Sequence, residues 1–247
     1  MNKSSIQKQI QKLAPRINQP QQFVQELELL FNSWGSEKAI AESKRIIPNV
    51  NKIFGVNFSI QNILAKEISN MSLPSAKAML RLLEVLWQSR SLEAQIVVSK
   101  ALGKLGKKAP DESLNLIASF LPDIKNWAVC DTLATQGIRG LMPTHNDRIL
   151  ALALKCIKNK NKWIKRFAVV TIVELAHNKK LEIPKKVFDI IKPLITAEDA
   201  DVKKAVAWAL REISKREPKM VKNFLKDYQN SQDKNVQWVV KEGSKKL

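Results

Sequence analysis

A chain of 247 residues is long enough to bury a sizeable core, as one long domain or two small ones, and only seven of its residues are glycine. No apolar run approaches the roughly 18 residues of a membrane-spanning helix, and the opening MNKSSIQKQIQKLAPR lacks the continuous apolar centre and small-residue cleavage site of a secretory signal. The formal charge of +19 points to a polyanionic partner, nucleic acid before anionic membrane, because the excess is uneven: residues 151–247 hold 23 Lys or Arg against 11 Asp or Glu.

Leu, Ile, Ala, Lys and Glu recur at helical spacing and period-two runs of β-branched residues are nearly absent, so the chain reads as all-α. In chain order, QPQQ (19–22), IPNVN (47–51), SLPS (72–75), KKAPDES (107–113), LMPTHND (141–147) and REPK (216–219) read as connections. Between them lie amphipathic stretches such as AKAMLRLLEVLWQS, LEAQIVVSKALGKL, DRILALALKCIK and VKNFLKDYQN, about a dozen helices in all. Short-linked helix pairs spaced about 35 to 45 residues apart are the pattern of an α-solenoid, whose stacked pairs curve to leave a concave surface. An irregular helical bundle is the alternative. We expect one all-helical domain over 1–247.

Cys130 and Cys156 stand among apolar residues and read as reduced, buried thiols of a cytoplasmic protein. In NWAVCDTLATQGIRG, helical phase puts Val129, Cys130, Leu133, Ala134 and Gly137 on the buried stripe. Trp127 and Asp131, one turn apart, share another stripe. An Asp early in a helix also simply favours the positive end of the dipole.

Between Arg148 and Arg166 come seven basic side chains and no acidic one. The stretch KWIKRFAVVTIVELA is apolar nearly all round and belongs to the interior, with Trp163 packed and Lys165 and Arg166 as its only charges between Ile164 and Glu174. An arginine there needs an anionic partner, either a protein carboxylate or a phosphate. In DVKKAVAWALREISKREP, Val202, Ala205, Val206, Ala209, Leu210 and Ile213 form the core stripe. Trp208 falls roughly 120° away, on the flank of Asp201, Lys204 and Glu212, with Arg211 close by.

No Gly-rich phosphate loop, no zinc spacing of Cys or His, and no nucleophile motif around His145 or His177 is present, which argues against a metal or nucleotide cofactor.

The segments FGVNFSIQNILAKEI, LLEVLWQS, NWAVCD, NKWIKRFAVV and VKKAVAWALREISKREP together resemble the AlkD-like DNA alkylation repair glycosylases, built of HEAT-like repeats. The likeness covers most of the chain beyond about residue 50. It implies that Trp127 and Trp208 are active-site tryptophans, that Asp131 is the catalytic aspartate, and that Arg166 contacts DNA. Lys162, Lys165, Lys204 and Arg211 lie beside these positions as further DNA-binding residues. The chain departs from the family pattern at Asn126 and Ala128, where relatives carry an aromatic and an acid, and at Phe54, where tyrosine is common. The resemblance implies a monomeric, monofunctional enzyme without metal or cofactor that excises purines alkylated at ring nitrogen three or seven from duplex DNA. A non-catalytic helical-repeat binder of nucleic acid or protein is the rival, and Asp131 discriminates, because a carboxylate facing a polyanion weakens simple binding.

Overall fold

The structure is a computed structural model that describes residues 2–71 and 75–247; the connection expected at 72–75 lies, Ser75 apart, outside the described residues. The contacts gather into two compact units, 1–141 and 142–247. The first holds α1 (Lys3–Gln11), α2 (Pro20–Trp34), α3 (Glu37–Ile46), α4 (Phe58–Asn70), α5 (Ala76–Gln88), α6 (Leu92–Leu105), α7 (Pro110–Phe120) and α8 (Trp127–Thr132). The second holds α9 (Met142–Cys156), α10 (Lys162–His177), α11 (Val187–Ile191), α12 (Ala200–Ser214), α13 (Pro218–Lys226) and α14 (Lys234–Gly243). Among the described residues that makes fourteen α-helices and no strand, an all-α helical-repeat fold.

The repeat is written in the starts of alternate helices. From α4 onward, the even-numbered helices begin at residues 58, 92, 127, 162, 200 and 234, intervals of 34 to 38 residues. Each is preceded by a short polar residue, Asn57, Ser91, Asn126, Asn161, Asp199 and Asp233, whose side chain accepts a backbone N–H of the first turn. An oxygen placed there satisfies donors that have no partner inside the helix, an effect of about 1 kcal/mol per cap. Helices α2, α7 and α13 instead open on proline, whose missing N–H costs nothing at that position. For that reason the prolines of QPQQ, KKAPDES and REPK fall inside helix starts rather than in the connections.

Within the first unit α6 packs between α4 and α8, while α2, α5 and α7 form a second layer. Trp87 of α5, 1% exposed, stacks on Phe120 of α7 at 4.2 Å between centroids and ties that layer together. The loop before α4 is held from inside: Oε1 of buried Glu93 accepts the N–H groups of Phe54, Gly55 and Val56 at 3.0, 2.8 and 3.2 Å. Gly55 has φ +72° there, a backbone conformation that favours glycine. In the second unit α12 packs between α10 and α14. Residue pairs that advance together, Lys162 with Asp201 and His177 with Glu212, show that α10 and α12 run parallel.

The core stripes anticipated on α8, α10 and α12 are buried, Trp163 and both free cysteines included. Burial pushes the Cys156 thiol up to about 12, so it is an inert core group. One connection differs from expectation: LMPTHND is mostly helical, since α9 begins at Met142 and is merely kinked at His145 (φ −126°, ψ 22°).

Candidate nucleic-acid interface

Asn126 is nearly fully buried and caps α8 by accepting the Val129 N–H at 3.0 Å, which fixes where the helix starts and puts Trp127 at its first position. The Trp127 indole is half-buried, and its Nε1–H donates to the Ile46 carbonyl at 3.0 Å. Ala128 is buried against the unit, so neither departure flanking Trp127 is idle: one is the cap and the other packing. Asp131, one turn on, is also half-buried. Its carbonyl accepts the Thr135 hydroxyl at 2.7 Å, where the helix widens into a π-helical turn over Leu133–Gly137. Such turns re-aim side chains within a helix and recur at functional sites. The third departure, Phe54, packs its ring on Phe31 at 5.4 Å.

The remaining candidates lie in the second unit. Trp208 is half-buried while Ala205, Val206, Ala209 and Leu210 around it are fully buried, so its ring stands off the core as its helical phase requires. Arg166 is 8% exposed, and its Nη1 donates to the Asp201 carbonyl at 2.5 Å, anchoring α10 to the first turn of α12. Lys162 reaches the carboxylates of Asp201 and Asp199 at 2.7 and 3.4 Å, and the Asp201 bond holds its ammonium above the usual lysine range. Arg211 donates to the Glu242 carbonyl at 3.2 Å. Lys165, half-buried, and Lys204, exposed, make no side-chain ion pair or hydrogen bond among the described residues. The five basic candidates therefore divide into three engaged within the protein and two available to a ligand.

Glu212 follows Trp208 by one turn of α12. It is buried and takes up Lys215 Nζ at 2.6 Å and His177 Nε2 at 2.9 Å. Burial pushes its carboxyl up, but those two partners outweigh it and hold the group below the usual carboxylate range. Arg216 is likewise structural: its guanidinium donates to the carbonyls of Leu175, Ala176, Asn178 and Leu181 and closes the C-terminal end of α10. The regular six caps were a sequence signal for the repeat that hydrophobic phase alone did not reveal.

The sequence pattern of the family described as DNA alkylation repair enzyme matches residues 27–247. The chain belongs to that family. The match takes in Trp127, Asp131, Arg166 and Trp208 together with α4, α6, α8, α10, α12 and α14. Among solved structures, the fold is similar to that of the Pseudomonas fluorescens alkylpurine DNA glycosylase AlkC, bound to DNA containing an abasic site analog. The TM-score is 0.58 at 14% identity, over 98% of this chain and 63% of that one. It is also similar to smu.31 from Streptococcus mutans UA159, with a TM-score of 0.57 at 20% identity over 93% of this chain and 98% of that one. The family member described here thus spans 63% of the AlkC chain and nearly the whole of smu.31. No curated protein matches the chain. Among the described residues no helix is long and apolar enough to cross a membrane.

Proposed function

We propose that this family member is a monofunctional, cytoplasmic DNA glycosylase that works as a monomer. It would hydrolyse the N-glycosyl bond of purines alkylated at ring nitrogen three or seven in duplex DNA. The observation that carries this reading is the pair on the opening turns of α8: the Trp127 indole, fastened by its N–H to Ile46, and the Asp131 carboxylate one turn later. A protein with a formal charge of +19 that only bound DNA would gain nothing from a half-buried carboxylate beside an aromatic ring.

A purine alkylated at either nitrogen is already cationic, so it leaves as a neutral base and needs no general acid. Positive charge then moves onto the deoxyribose. The Asp131 carboxylate stabilises that charge and orients the attacking water, whose proton it accepts as the new C–O bond forms. The faces of Trp127 and Trp208 attract the cationic nucleotide by about 0.5 to 2 kcal/mol each. Lys165 and Lys204 meet phosphates directly, with Arg166, Lys162 and Arg211 joining by exchanging or sharing their present partners. No metal or cofactor enters this chemistry. Release of alkylated base from methylated duplex DNA by the purified protein tests the reading; release no faster than spontaneous depurination would leave only a DNA-binding repeat.

A further inference from the structure

A recess of about 250 Å³ opens in the first unit where α4, α6 and the π-helical turn meet. Asn62, Lys100, Lys104, Lys107, Gln136 and Arg139 line it, so its wall carries four cationic side chains and no carboxylate. Its floor is shaped by close backbone approach: a Cβ on Gly103 would lie 1.8 Å from the Gln136 carbonyl oxygen. Only glycine lets α6 and the π-helical turn come that near.

Lys100 is the unusual member. It is 6% exposed, and its ammonium meets only neutral groups, the Asn62 Oδ1 at 2.6 Å and the face of the Phe58 ring at 3.4 Å from the centroid. Among the described residues no carboxylate pairs with it. A buried ammonium is costly unless it gains a counter-ion, and this one lines a recess whose other charges are also positive. Glu67, the nearest acid bearing on Lys104, does not line the recess and is taken by Gln7 at 2.7 Å. The Asn62 amide, with its oxygen committed to Lys100, keeps its NH₂ as a donor. Three ammonium groups and two amides around one small space match a tetrahedral oxyanion, with donors for every oxygen.

Its position gives the anion a source. Asp131 and Thr135 lie on α8 and its π-helical continuation, and Arg139 stands in the turn that follows Gly137, so the recess and the Asp131 helix belong to one stretch of chain. We propose that this recess seats one phosphate group of the DNA backbone on the unit that carries Asp131, with Lys100 at its centre. The choice of DNA as the source rests on the proposed glycosylase reading; the anion site itself does not.

The test uses the full chain, a Lys100→Met variant that keeps the buried stem, and a Lys104→Gln/Lys107→Gln double variant that leaves the core untouched. Duplexes carrying one abasic-site analogue are made with a single neutral methylphosphonate moved phosphate by phosphate away from it. Wild-type affinity should fall about tenfold at one or two adjacent positions. Lys100→Met should show a change of less than about twofold at the same positions, because its contact is already gone. The double variant should weaken intact duplex and blunt the same positions. In a second arm, inorganic phosphate is titrated into each protein and followed by calorimetry. A flat scan with no phosphate binding overturns the proposal. Phosphate binding that requires Lys100 alongside a flat scan establishes the anion site but overturns DNA as its source. Base release from methylated duplex, measured on the same wild-type sample, separates the two readings: a positional footprint without release overturns the glycosylase and leaves the phosphate seat standing.

Discussion

The Nε1–H of Trp127 donates to the main-chain carbonyl of Ile46 at 3.0 Å, across 81 residues of sequence. This bond fixes the edge of the indole to the end of α3 and so decides which part of the ring a ligand can meet. Trp127→Phe keeps an aromatic face but loses the bond, which contributes about 1 kcal/mol of orientation. We expect single-turnover excision of a methylated purine to fall by about fivefold with little change in affinity for undamaged duplex; an unchanged rate would remove the orienting role.

Asp131→Asn separates enzyme from binder. The side chain keeps its size and most of its hydrogen bonding but loses the charge that meets the developing sugar cation. Excision should drop by about 10²- to 10³-fold, the loss typical of one such electrostatic group, while duplex binding is kept or slightly improved. Trp208→Ala should instead lower both recognition and turnover, because its ring acts on ground state and transition state alike. Both variants are read by single-turnover release measured beside binding.

Salt dependence distinguishes the basic residues by what they now touch. Affinity for undamaged duplex should fall linearly on a plot of log affinity against log salt, and Lys165→Ala or Lys204→Ala should each reduce the slope by about 0.9 without shifting thermal stability. Arg166→Ala should weaken binding by a similar step and also lower the melting temperature, since its guanidinium holds the Asp201 carbonyl across two helices. A flat salt plot would rule out a phosphate-driven interface.

Lys100 makes stability rise with pH. Burial lowers its ammonium to about 8 from the usual 10.5. Between those values the unfolded chain binds the proton and the folded chain does not, so the free energy of unfolding grows as pH increases through this window. Burial is the cause of that lowering, and the charged side chains that line the same recess, Lys104, Lys107 and Arg139, all share its sign. At neutral pH the folded protein bears a penalty on the order of 3 kcal/mol for the buried charge. Lys100→Met should therefore raise stability at pH 7, with the gain shrinking toward pH 10; denaturant unfolding at several pH values checks it. A bound anion would offset the same penalty, so phosphate should stabilise wild type most below about pH 8.

Much of this molecule follows from local rules. Apolar residues at helical spacing place Val202, Ala205, Val206, Ala209, Leu210 and Ile213 in the core and leave Trp208 outside it, and the structure agrees residue by residue. Helix phase is a property of the chain itself, about 100° per residue, so the sequence alone decides which face a helix buries. The six capping residues are equally local, because each satisfies donors within three residues of itself. What tertiary packing decided is which polar group meets which. Arg166 ties its helix to the Asp201 carbonyl, Glu212 takes up His177 and Lys215, and Lys100 sank beneath Phe58 without an acid. Such pairings depend on the register in which two helices lie against each other, a matter of ångströms set by glycines such as Gly103 and by the summed fit of many side chains. No periodicity within one helix carries that register, and so the charged groups, rather than the core, were where structure had the final say.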